Sequence, residues 1–137
     1  MTSDRESIES CIFCKIVAGN ADAEIIFETE RHLCIQDKYP VAEGHVLVLP
    51  KSHIESLLAA DWKSLMAVVK QAVERVRARH DTDGINVGCN NGEAAGQTIP
   101  HLHWHIIPRF EGDSDDPTGG VRGVIPDRQQ YETHDTF

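Results

Sequence analysis

Between residues 23 and 49 the apolar side chains come in short runs broken by charge. Ala23 to Glu28 and His32 to Gln36 flank the charged turn Thr29-Glu30-Arg31, a pattern that predicts a β-hairpin. A third strand is predicted over His45 to Leu49, opened by Gly44 and closed by Pro50. From Asp61 to His80 the period changes. Trp62, Leu65, Met66, Val69, Ala72, Val73 and Val76 recur at helical spacing, with Lys63, Lys70, Glu74, Arg75, Arg77 and Arg79 between them. This predicts one long amphipathic helix with Asp61 as its N-cap. Two more strands, Ile85 to Cys89 and His101 to Pro108, are joined by the Gly- and Asn-rich stretch from Asn90 to Pro100. Strands in runs around one main helix predict an α+β fold with a mostly antiparallel sheet. Residues 1–10 read as a polar tail and 11–110 as the folded domain. Residues 111–137, rich in Gly and Pro, read as an extended C-terminal tail.

A length of 137 residues suits one domain. Thirteen basic against 22 acidic residues give a net charge of −9, which repels a polyphosphate backbone and argues against nucleic-acid binding. Any phosphate must therefore be held locally. No apolar run approaches the roughly 20 residues of a membrane span, and the polar start has no export signal, so a cytoplasmic protein without membrane contact is expected. In that compartment Cys11, Cys14, Cys34 and Cys89 are expected as thiols or metal ligands.

The segment His101-Leu102-His103-Trp104-His105-Ile106-Ile107-Pro108 carries the strongest chemical signal. On a strand its three histidines share one face at a spacing of about 6.6 Å, while Leu102, Trp104 and Ile106 pack on the other. Packing alone does not call for three imidazoles side by side. Two readings compete: a zinc site with an open position for water, and a histidine nucleophile. The upstream Asn90, Asn91, Gly92, Gly96, Gln97 and Thr98 are donors suited to phosphate oxygens, and Glu93 is the only local carboxylate to act as a base for metal-bound water. These residues favour the nucleophile.

The same residues resemble the signature of the histidine triad (HIT) superfamily, His-φ-His-φ-His-φ-φ with φ apolar. Gly44-His45-Val46-Leu47-Val48-Leu49-Pro50-Lys51-Ser52-His53, Asn90-Asn91-Gly92 and Gly96-Gln97-Thr98 resemble further blocks of that family, and the similarity runs from about Cys11 to Arg109. The resemblance implies a homodimer with a five-stranded antiparallel sheet per subunit, one long helix and a short N-terminal helix. It also implies hydrolysis at the α-phosphate of a nucleotide, a phosphoramidate or a dinucleoside polyphosphate, through a nucleotidyl-histidine on His103. His105 and His45 would assist, and Gln97 and Thr98 would donate to the phosphate or leaving group beside Gly96 and Asn90. Asp37 would bond the ribose hydroxyls, and Ile12, Phe13, Ile16 and Ile35 would form an apolar slot for a purine. A nucleotidyltransferase, a metal-dependent hydrolase and a non-catalytic nucleotide-binding module remain as alternatives. The complete set of His45, His101, His103 and His105 speaks against the last.

Cys11-Ile12-Phe13-Cys14 has the spacing of half a zinc site, and a redox pair or two buried thiols would share that spacing. Bacterial HIT proteins and galactose-1-phosphate uridylyltransferases resemble this chain here. Their pattern implies a closed structural zinc site of Cys11, Cys14, His53 and His101. Cys34 and Cys89, inside predicted strands, are expected as unreactive packing residues.

Overall fold

The computed structural model describes residues 8–131. A short helix, α1 (Ile12–Val17), leads into strands β1 (Ile25–Glu28), β2 (His32–Gln36) and β3 (Val46–Pro50). The long helix α2 (Trp62–His80) follows, then β4 (Gly84–Cys89) and β5 (Trp104–Arg109). The five strands form one sheet in the order β1-β2-β3-β5-β4, with every neighbouring pair antiparallel. The α+β architecture expected from the pattern is thus the one observed.

Helix α2 begins where its cap demands. Asp61 accepts a hydrogen bond from the Ser64 N–H, and the helix ends at Asp81, which turns left-handed at φ 50°. The apolar stripe of α2 lies on one face of the sheet. Leu65, Val68, Val69, Ala72 and Val76 pack against Phe27, Cys34, Val46, Val48, Leu102 and Ile106. On the opposite face Leu33, Ile35, Leu47 and Leu49 pack against Phe13, Cys14 and Ile16 of α1. Alternation along β2 and β3 therefore serves two cores, and this explains why both strands are buried almost throughout. Of the stripe residues, Val69 is buried by the sheet, Met66 and Val73 are half-buried and Trp62 is exposed.

Several strand boundaries differ from the sequence pattern, among them β4, which starts at Gly84, and β5, which ends at Arg109. The first strand starts at Ile25 rather than Ala23, and its register shifts between Ile25 and Phe27. The third strand runs one residue later than expected, because the His45 N–H is used by the Ala42 carbonyl in the preceding turn. The last strand starts at Trp104 rather than His101. Its neighbour β3 ends at Pro50, which has no N–H to continue a ladder, and the backbone N–H groups of His101 and Leu102 bond instead to the carbonyls of Ile99 and Ile54. His101 and His103 thus sit on an extended lead-in to β5.

Residues 111–131 are not the extended segment their composition suggested. They contain two 3-10 turns, Gly120–Val124 and Pro126–Arg128. The Gln129 amide ties the first of these down by donating to the carbonyls of Asp116 and Thr118 at 3.1 and 2.9 Å. Among the described residues no helix is long and apolar enough to cross a membrane.

Candidate active site

The histidine cluster stands on the sheet face that carries α1. The antiparallel register puts His105 opposite Leu47 of β3 and Gly88 of β4, and Gly88 has no side chain to cover it. His45 enters from the turn before β3, and its ring lies 5.2 Å from that of His105. His103 lies 5.2 Å from His105 and 5.0 Å from Phe13, so the nucleophile candidate is held between a histidine and a phenyl ring. His45, His101 and His103 are 2%, 0% and 8% exposed.

The hydrogen-bond partners fix which ring nitrogen carries each proton. His103 Nδ1 is 2.8 Å from the His101 carbonyl, which can only accept, so Nδ1 holds the hydrogen and the Nε2 lone pair is free. The Val41 N–H donates to His45 Nδ1 at 3.2 Å, so the hydrogen of His45 is on Nε2. That hydrogen lies between His105 Nδ1 at 2.9 Å and Asp37 Oδ2 at 3.3 Å. His105 in turn carries its hydrogen on Nε2. The result is a free lone pair on His103 beside a neutral N–H donor on His105.

Burial keeps the His45 and His105 rings neutral. It lowers His105 to about 4, helped by the neighbouring His103 and His45 and opposed by Asp37. Burial also lowers His45, against the same carboxylate. At neutral pH both are imidazoles and not imidazolium ions.

Asp37 is placed by its own turn. One carboxylate oxygen accepts the Tyr39 N–H at 2.8 Å and the other faces His45, which leaves lone pairs for a further donor. Asn90 directly follows Cys89, the partner of Trp104, and therefore stands level with His103. Gly96 turns at φ 94°, a conformation that favours glycine, and Thr98 is exposed. The Gln97 amide nitrogen donates to the carbonyls of Glu55 and Ile99, both at 3.1 Å, and its oxygen accepts the Gly92 N–H at 2.8 Å, so the side chain braces the turn. Of the four residues expected to form an apolar slot, Phe13, Ile16 and Ile35 are buried in one cluster, and Ile12 is 43% exposed.

Cys11, Cys14, His53 and His101 place one ligand atom each within 4.8 Å of one another. The Sγ to Nδ1 separations are 3.3 Å for Cys11 and His101, 3.2 Å for Cys14 and His53, and 3.6 Å for Cys14 and His101. A tetrahedral zinc with ordinary Zn–S and Zn–N bonds would hold such atoms about 3.6 Å apart. His101 Nε2 donates to the Pro50 carbonyl at 2.8 Å, which leaves the Nδ1 lone pair facing both sulfurs. Burial, with a hydrogen bond and charge from Cys11, pushes the Cys14 thiol up to about 11, so a cation would have to displace its proton. The four residues fit a zinc ion. Asp37, His45 and His105 also bring three ligand atoms within 4.8 Å. There the hydrogen on His45 Nε2 occupies the position a cation would need, and moving it to Nδ1 would set it against the Val41 N–H. That trio fits a hydrogen-bond relay better than a metal. Cys34 and Cys89 face the α2 core, and burial pushes Cys34 up to about 12, in keeping with inert packing thiols.

An antiparallel five-stranded sheet with a short helix over one face, and a strand whose lead-in carries clustered imidazoles, defines a histidine-cluster α+β protein. The comparisons make this specific: the HIT domain matches residues 18–112, and the chain belongs to the HIT family. An uncharacterised HIT-like protein of Methanocaldococcus jannaschii is 42% identical over 108 residues, 77% of this chain and 83% of that protein. An adenylylsulfatase of Arabidopsis thaliana is 38% identical over 75% of this chain and 54% of its own length. The crystal structure of a Zn-bound histidine triad family protein from Mycobacterium smegmatis superposes with a TM-score of 0.71 at 41% identity, covering 78% of this chain and 80% of that one.

Proposed function

We propose that the protein is a nucleotide hydrolase that cleaves at the α-phosphate through a nucleotidyl-histidine on His103. The observation that carries this reading is the Nδ1 hydrogen of His103 on the His101 carbonyl, which leaves Nε2 as the attacking lone pair. In the first step the Nε2 electron pair forms a bond to the α-phosphorus, and the bond from phosphorus to the leaving group breaks. His105 Nε2–H, neutral and aligned by His45, gives a hydrogen bond to the charge that develops. In the second step water attacks the same phosphorus, the P–N bond breaks and its electron pair returns to His103. The leaving group and the nucleoside monophosphate together take up the two hydrogens of water. A purine base and ribose hydroxyls on Asp37 complete the substrate, which is a phosphoramidate or a dinucleoside polyphosphate.

His103→Ala should abolish turnover and keep nucleoside monophosphate binding, and a variant retaining a tenth of wild-type activity would exclude the covalent route. A panel of adenosine phosphoramidate, diadenosine polyphosphates and adenosine phosphosulfate at matched concentration would identify the leaving group. The last is included because one relative bears the name adenylylsulfatase.

Zinc in this reading is structural and held by Cys11, Cys14, His53 and His101, where it clamps α1 to the lead-in of β5. About one zinc per chain is expected, and Cys14→Ser should lower metal content and thermal stability more than it lowers turnover of the folded fraction. Activity lost on mild chelation and restored by metal with no change in folding would point to catalytic zinc. The assembly is proposed as a cytoplasmic two-fold homodimer, supported by the outer position of β4 in the sheet and the exposed Trp62. A monomer of about 15 kDa with full activity in sedimentation would exclude the dimer.

A further inference from the structure

Beside the C-terminal half of α2 a cavity of about 220 Å³ opens between the helix and the sheet, on the face opposite the histidine cluster. Its floor is apolar. Cys34, Val46, Ala72 and Val76 line it, and all four are buried. Its rim is polar and charged, formed by Arg75, Arg79, Gln36 and Glu43. The His80 ring closes one end by packing over Gly44, where an added Cβ would meet it at 2.6 Å.

The two guanidiniums of the rim have no anionic partner. Among the described residues neither Arg75 nor Arg79 makes an ion pair or a side-chain hydrogen bond. The chain carries 22 acidic residues against 13 basic ones, so this is not for want of carboxylates. The helix neighbours of Arg75 at three and four residues are Gln71, Ala72, Ala78 and Arg79, none of them acidic, and the last sets two like charges side by side. Arg75 is held at the rim by the Phe27 ring, whose centroid lies 4.6 Å from the guanidinium carbon. At the floor burial pushes the Cys34 thiol up to about 12, and the charge of Arg75 works against that rise, so the guanidinium field reaches into the cavity. The pull of a helix C-terminus on cations accounts for arginine near the last turn. It does not account for two of them flanking an apolar floor.

A ligand for such a cavity has two parts, an apolar body for the floor and an anionic group for the forked donors of the arginines. Two guanidiniums against the Glu43 carboxylate leave one positive charge, which a monoanion balances. The volume is below the roughly 300 Å³ at which pockets for drug-sized molecules begin, so the body is a single ring or a short chain. The structure assigns to this cavity a second binding site, for a small organic monocarboxylate whose body lies on the floor and whose carboxylate lies between Arg75 and Arg79. The site does not depend on the hydrolase reading.

The test is a proton–nitrogen NMR titration of the full chain, with excess adenosine monophosphate present to keep the probes from the proposed phosphate site. The probes are benzoate, acetate with the charge alone, benzyl alcohol with the body alone, and benzylamine with the opposite charge. Benzoate should shift the amide signals of Gly44, Ala72 and Val76 and bind about tenfold more tightly than each of the others. Arg75→Gln combined with Arg79→Gln should weaken benzoate about tenfold, while Arg77→Gln, outside the cavity on the same helix, should change it by less than about twofold. All three arginines are exposed and glutamine is a good helix former, so both variants should fold. Amide signals unmoved by benzoate up to about 20 mM would overturn the site. Benzyl alcohol binding as tightly as benzoate, or an equal loss in Arg77→Gln, would overturn it as well.

Discussion

The relay from His45 to His105 can be cut without touching the backbone group that anchors it. In His45→Asn the side-chain oxygen stands where Nδ1 was and can still accept the Val41 N–H, so no buried donor is orphaned. What disappears is the Nε2 hydrogen 2.9 Å from His105 Nδ1 and 3.3 Å from Asp37. A hydrogen bond between neutral groups is worth about 1 kcal/mol, and one near a carboxylate up to about 3 kcal/mol. Without it His105 is free to carry its hydrogen on either nitrogen, and only one tautomer would donate to the phosphate in the proposed step. The expected loss in kcat/KM is therefore about 5- to 150-fold, since about 1.4 kcal/mol is a factor of ten. Stability should fall by about 1 to 2 kcal/mol for the ring atoms removed from a site that is 2% exposed. The assay is steady-state hydrolysis of the best substrate from the panel, with chemical denaturation alongside. A loss as large as that of His103→Ala would mean that His45 takes part in bond making, and a loss within twofold would mean that the relay does not orient His105.

Two further outcomes follow from burial and backbone geometry. His101 and His105 sit near 4 in the fold against an ordinary value of 6.5, with burial the main cause for both. The unfolded chain therefore binds more protons between those limits, and the metal-free protein should be most stable above about pH 6.5 and lose up to about 3 kcal/mol per group as pH falls to about 4. Denaturation curves flat across that window would refute the burial argument. Gly44→Ala should destabilise by about 1 to 3 kcal/mol, because Gly44 has φ +92° and a Cβ there would lie 2.6 Å from the His80 ring. A melting temperature equal to that of the wild type would show that the turn into His45 relaxes freely.

Much of this arrangement could be read from the residues themselves. The 3.6 period of α2 and its Asp61 cap are local signals, and both stand within a residue of where the pattern put them. The histidines and cysteines announce chemistry by type and spacing. Less legible was anything that depends on main-chain partners. The late start of β5 at Trp104 follows from where β3 stops, at Pro50, far away in sequence. The turns in 120–128 depend on Gln129 reaching back to Asp116 and Thr118. An amide in a glycine-rich turn can serve a ligand or the turn itself, and the bracing of the turn by Gln97 shows only in the positions of Glu55, Gly92 and Ile99.

The main-chain partners also decide how two histidines of one segment come to opposite uses. His101 and His103 are two residues apart with the same side chain. The Pro50 carbonyl takes the Nε2 hydrogen of His101, and the His101 carbonyl takes the Nδ1 hydrogen of His103. The first ring therefore offers Nδ1 to the sulfurs, and the second offers Nε2 to the open face. Carbonyl groups persist through substitution of the side chains that bear them, so this assignment is tied to the path of the chain and not to residue identity at Pro50. The division also keeps the chemistries apart. A cation drawn to the thiols finds no free lone pair on His103 Nδ1. One strand lead-in can thereby hold a metal-ready imidazole and the proposed nucleophile without either capturing the other's partner.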